Sequence, residues 1–147
     1  MMRATSKAAA PWRKWRKKLA DAFHGAPDVR FAALFGSAAK GGLRPDSDID
    51  IALGTRKAIR LPDRRLLLAE AELTRFAGRQ VQLVPLKAAP LSLRFAVARD
   101  GVLLWAREPA EFGRFRAETF IEHADMEPMA SRVRQAFLER VIEEGHG

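Results

Sequence analysis

Apolar positions along the chain repeat with two different periods, and the changes of period divide it into elements. Trp12, Trp15 and Leu19, extended by Ala22 or Phe23, recur at steps of three and four and mark one stripe of a helix, with Pro11 suited to its first turn. The turn-forming run HGAPD at residues 24–28 ends it. VRFAALF, residues 29–35, is a short apolar run that reads as a buried strand. A glycine- and proline-containing loop follows over residues 36–45. Residues 46–54, DSDIDIALG, then alternate as a strand does, with Ile49, Ile51 and Leu53 on one face and Asp48 and Asp50 on the other.

Beyond this point helices and strands take turns. Residues 62–77, PDRRLLLAEAELTRFA, open on a proline, continue in strong helix formers and stop before Gly78, which predicts a helix. Residues 80–86 read as a third strand, 90–99 as a short helix, and 101–106 as a short strand or extended segment beside the sheet. From 109 to 144 the spacing of Phe112, Phe115 and Phe120, then Met129, Val133, Phe137 and Val141, predicts two helices broken near residues 125–128. The expected architecture is a small α/β domain, a mixed sheet with flanking helices. Residues 1–28 form its basic amphipathic entry, 29–108 its core, and 109–147 helices packed on the same domain.

Charge changes the picture mainly at one end. The 147 residues carry 26 basic and 18 acidic side chains, a net charge of +8. Arg3, Lys7, Arg13, Lys14, Arg16, Lys17 and Lys18 all fall within residues 1–20, where no acid occurs, so the rest of the chain is nearly neutral. Such a helix can present a basic surface to nucleic acid, membrane or an acidic protein, or dock its tryptophans on the core and turn its lysines to water. Two tryptophans at helical spacing favour docking.

The absence of cysteine excludes a disulfide scaffold, a cysteine nucleophile and a thiolate metal site. No apolar stretch is long enough to span a membrane and the start lacks a signal-peptide core, so a cytoplasmic protein is expected. His24, His123 and His146 have no metal-ligand spacing.

The candidate chemistry lies in residues 34–53, LFGSAAKGGLRPDSDIDIAL. Side chains two apart on a strand point the same way, so Asp48 and Asp50 can hold a divalent cation between them; without one, a buried pair of like charges is costly. Gly36 lets backbone approach a phosphate closely, the Ser37 hydroxyl and nearby amides can donate to it, and Lys40 adds a positive charge. The segment matches neither the phosphate loop GxxxxGK[ST] nor the dinucleotide loop GxGxxG.

These residues resemble the minimal nucleotidyltransferases of the DNA polymerase beta superfamily, MntA-like antitoxins often paired with a HEPN-domain protein. The resemblance rests on Gly36, Ser37, Ala39 and Gly41, the ten-residue gap, and SDID at residues 47–50 continuing as IAL. It implies a polymerase beta-like fold with residues 29–108 as its nucleotidyltransferase core. It also implies ATP held at Gly36, Ser37 and Lys40, Mg²⁺ bound by Asp48 and Asp50 as the catalytic pair, and transfer of AMP to a hydroxyl of a HEPN-like partner. The family's third carboxylate, on a later strand, falls at Gln82 in Val81-Gln82-Leu83-Val84, and Lys40 stands where arginine is usual. Glutamine supplies neither a negative ligand nor a base at neutral pH. Asp63, Glu70 and Glu72 are candidate replacements, though better read as exposed helix residues. Two alternatives remain: a degenerate member that acts by binding its partner, and a nucleic-acid-binding module. The phenylalanines of residues 109–144 read as core or partner-packing residues, on a helical surface that would suit a homo-oligomer.

Overall fold

The computed structural model describes residues 12–40 and 47–146. Helix α1 (Arg13–Ala22) is the amphipathic segment. Trp15 and Leu19 are buried along it and Phe23 just beyond it, while Arg13, Lys14, Arg16 and Lys17 face solvent. Trp15 meets the Phe76 ring edge-on, with centroids 5.1 Å apart, and Phe23 stacks on Trp105 at 5.9 Å. The tryptophan at the centre of the stripe therefore serves packing; Pro11 lies outside the described residues.

Strands β1 (Val29–Phe35), β2 (Ile49–Thr55), β3 (Val81–Pro85) and β4 (Val102–Ala106) form one sheet in the order β3-β2-β1-β4. β2 returns antiparallel to β1, β3 lies parallel to β2 after a crossover through α2 (Arg64–Ala77), and β4 runs antiparallel to β1 after α3 (Leu91–Asp100). This is the predicted mixed sheet with flanking helices. β2 begins three residues later than the predicted strand, so Asp48 directly precedes it and Asp46 lies outside the described residues.

Both faces of the sheet are covered, which is why β1 is apolar almost throughout. On one face Leu34, Ile51, Leu53, Val81 and Leu83 pack with Trp15 and Leu19 of α1 and Leu66 and Leu73 of α2. On the other, Phe31, Ala33 and Ala52 pack with Val97 of α3 and Phe112. Gly54 is required there, because a Cβ on it would fall within the Phe31 ring. Asp63 caps α2 by accepting a 3.0 Å bond from the Leu66 amide, and Gly78 ends it at φ 73°.

β3 is an edge strand whose outward amides are all occupied or missing. Gln80 O and Leu86 N bond β2, so the odd-numbered residues between them face outward. Val81 N donates to Thr74 Oγ1 at 3.0 Å, Leu83 N donates to Glu70 Oε2 at 2.8 Å, and Pro85 has no N–H. Side chains of α2 thus close the edge against a further strand.

The C-terminal region corrects the expected break. Residues 111–146 form one helix, α4 (Glu111–His146), with Pro128 inside it. Proline removes one backbone donor, but here the surrounding turns are exposed and water can take the freed carbonyl. Only the first part of α4 packs on the domain, through Phe112, Phe115, Thr119 and Phe120. From residue 124 to 144 every described side chain except the half-buried Ala130 is exposed, Phe137 included, so that stretch is not the packed helix expected.

Candidate active site

The site begins where β1 ends. Phe35 is still extended, Gly36 turns to φ 73°, and residues Gly36–Ala38 make one tight 3₁₀ turn in which the Lys40 amide donates to Ser37 O at 3.2 Å. A left-handed residue at this corner is the reason for glycine. Ala38 is buried and anchors the turn, leaving Ser37 and Lys40 exposed above it.

Asp50 stands in register with Phe35 on β1 and with Gln82 on β3. It is close to the glycine corner: a Cβ built on Gly36 would sit 3.1 Å from Asp50 Oδ2. The sheet therefore brings Gly36, Asp50 and Gln82 together, with Asp48 exposed at the entry to β2 and Ser37 and Lys40 on the adjoining turn. Partial burial pushes the Asp50 carboxyl above its ordinary range, and the negative charge of Asp48 pushes it the same way. A carboxylate whose charge is disfavoured in this way, with a second acid beside it, fits a divalent cation, whose charge would favour the ionised form. Among the described residues no group of three or more acids and histidines could hold a metal.

Gln82 is exposed on the strand beside Asp50, and the acids considered as replacements for a carboxylate there are engaged elsewhere. Asp63 is used as the cap of α2, Glu70 bonds the β3 edge, and Glu72 accepts a 2.8 Å bond from Lys18 Nζ. Two residues not anticipated from sequence reach this end of the sheet. Because Leu34 pairs with Val102, the end of α3 lies beside the end of β1. Asp100 there bonds Arg99 at 2.8 Å, which with a smaller contribution from Lys40 lowers its carboxyl pKa. Their separation of some sixty residues from Lys40 leaves no local signal in the sequence.

His24 is exposed and His123 stacks on Phe95 at 3.7 Å, so neither points to a metal site. A cavity of about 400 Å³ opens at the other end of the sheet, lined by Arg30, Thr55, Lys87, Arg94 and Thr119 among others. None of the residues selected from sequence lines it.

With this geometry, a strand leading into a glycine-serine turn beside one acid on the next strand and a second just before it, the molecule is an α/β nucleotidyltransferase domain. Residues 17–110 match the family described as polymerase beta, nucleotidyltransferase, and the chain belongs to that family. A search of curated protein sequences finds no match. Solved structures share the fold. A toxin-antitoxin crystallised with AMP-PNP aligns over 86% of this chain and 97% of its own, at 24% identity and TM-score 0.66. A Shewanella oneidensis complex of tri-AMPylated HEPN toxin with MNT antitoxin aligns over 86% and 94%, at 23% identity and TM-score 0.60. An MntA-HepT toxin-antitoxin aligns over 86% and 95%, at 23% identity and TM-score 0.59. Among the described residues no helix is long and apolar enough to cross a membrane.

Proposed function

We propose that this chain is a Mg²⁺-dependent nucleotidyltransferase that moves AMP from ATP to a hydroxyl of a HEPN-domain protein partner, acting as its antitoxin in the cytoplasm. The observation that carries the proposal is the placement of the Gly36 corner beside the Asp50 carboxylate, whose Oδ2 lies 3.1 Å from where a Cβ on Gly36 would be, with Asp48 immediately before the same strand. Support comes from the similar structures, one holding AMP-PNP and one a HEPN toxin bearing AMP groups.

In this reading Gly36 and Ser37 seat the β- and γ-phosphates and Lys40 adds charge to them. Asp48 and Asp50 hold Mg²⁺, which when bound neutralises phosphate charge as a Lewis acid. The acceptor oxygen attacks the α-phosphorus in line, a new P–O bond forms, and the bond from that phosphorus to the α–β bridging oxygen breaks. Pyrophosphate leaves with the electron pair, and the hydroxyl proton passes to solvent, because Gln82 cannot take it.

Gln82 in register with Asp50 favours a second reading, a member that has lost turnover and neutralises its partner by binding alone. One titration and one transfer assay separate the two. Equilibrium ATP binding should require Mg²⁺ and weaken about tenfold or more in Asp50→Asn. AMP transfer to the purified HEPN partner should be slow in wild type and faster in Gln82→Asp. Transfer by the variant alone would establish the second reading, and no ATP binding by the folded wild type would overturn the first and leave a protein that acts by binding its partner.

A further inference from the structure

The exposed half of α4 carries an apolar stripe with no cover in the fold. Met129, Val133 and Phe137 are 61%, 64% and 62% exposed, and Met126 and Val141 about half exposed. At 100° per residue these five and Ala130 lie within one arc of about 120°, with Leu138 about 60° outside it. Together they offer roughly 600 Å² of surface, the lower end of what one partner contributes to a specific interface.

We infer that this face is a dimer interface, on which a second copy of the chain lays its own α4 antiparallel. Apart from Met129, whose counterpart Leu138 lies outside the arc, the stripe is symmetric about the point between Val133 and Arg134. Reversing it sets Met126 against Val141 and Ala130 against Phe137, the self-complementarity a two-fold contact requires. The charges agree with that register. Arg140 lies just inside the Met129 edge of that arc and Asp125 about 40° beyond the same edge. In the reversed copy each Arg140 falls about two residues, or ~3 Å along the axis, from the other copy's Asp125. Neither side chain is seen paired within its own chain; Arg134 instead bonds Glu127 at 2.9 Å on the opposite flank.

The path of α4 explains why this face suits a second copy and not the acceptor. α4 crosses the end of the sheet remote from Asp50. Glu111 bonds Arg30 at 2.8 Å, Phe115 packs on Phe31, and Thr119 and Glu122 border the cavity shared with Thr55, Lys87 and Arg94. The helix leaves the domain there. A dimer joined through the arms leaves both Gly36–Asp50 corners open, whereas an acceptor hydroxyl must approach that corner.

Sedimentation velocity on the full chain from ~1 to ~100 µM tests this. The mass should rise with concentration from 16.4 kDa toward twice that value, and Val133→Glu/Phe137→Glu should remain monomeric with an unchanged circular dichroism spectrum. Asp125→Arg and Arg140→Asp should each weaken association about tenfold, and the double variant should restore it. A wild type that stays monomeric throughout overturns the proposal, as does a dimer indifferent to Val133 and Phe137. Failure of the double variant to restore association overturns the antiparallel register. A monomer that instead uses Phe137 to hold the HEPN partner overturns self-pairing and gives the arm to that partner. ATP binding at the opposite end of the sheet serves as the independent readout, so this inference and the catalytic reading can fail separately.

Discussion

At the scale of single residues, the folded chain disfavours the charge of one carboxylate at the site, that of Asp50. For Asp50, raised in the folded chain above the ordinary 3.8 by burial and by Asp48, the protonated form is the better folded one. Its contribution is therefore fully present below that ordinary value and is lost as pH rises through the folded value, leaving a cost at neutral pH. Asp50→Asn should unfold at a higher temperature than metal-free wild type at pH 7, with the gap closing below the ordinary carboxylate value. Added Mg²⁺ should raise the wild type and not the variant. Thermal melts across pH, with and without Mg²⁺, check both. Gly36→Ala should cost about 1–2 kcal/mol in chemical denaturation, because its φ is 73°, and should weaken ATP binding by pressing a methyl toward Asp50 Oδ2.

At the scale of elements, the edge strand β3 depends on α2 for more than hydrophobic contact. Glu70 and Thr74 supply the acceptors that Val81 N and Leu83 N would otherwise lack. Glu70→Ala should lower stability by about 1.5–3 kcal/mol, and combined with Thr74→Val it should increase light scattering on standing by opening the edge. Arg30 and Glu111 join β1 to α4 through a pair of nitrogens on one carboxylate oxygen, both side chains largely buried. Arg30→Met alone should cost about 3 kcal/mol, since Glu111 loses both of its charged hydrogen bonds and keeps only the exposed Arg114 at 3.9 Å. Arg30→Met/Glu111→Leu should recover most of that loss in urea titrations.

At the scale of the whole molecule, the chain divides into a domain that packs and an arm that does not. The last side chain of α4 with a ring partner is His123, on Phe95. A chain ending after Ala124 should therefore keep its melting temperature within ~2 °C and bind ATP as before, while losing all concentration dependence of its mass. Scanning calorimetry and sedimentation of the shortened chain check this, and a large loss of stability would show that the arm folds back on the domain. The basic face of α1 is solvent-facing and its apolar face is filled, so the excess charge sits on an element that the fold uses as a lid over the sheet.

Much of this was readable from the amino-acid order because burial leaves a local period. Trp15 and Leu19 at helical spacing, the unbroken apolar run of β1 and the alternation through Ile49, Ile51 and Leu53 each record which side of an element meets the core. The Gly36-Ser37 corner and the acid pair were readable for the same reason, being set by one strand end and one strand start. Other features depended on residues far apart in the chain. That Gln82 lies beside Asp50 follows from strand register, that Glu70 closes the β3 edge follows from helix packing, and that Asp100 approaches Lys40 follows from β4 pairing with β1. Pro128 showed the limit most clearly: its ring removes a hydrogen bond in any setting. Whether the helix stops there depends on whether water can reach the freed carbonyl, and in this fold the arm stands in solvent.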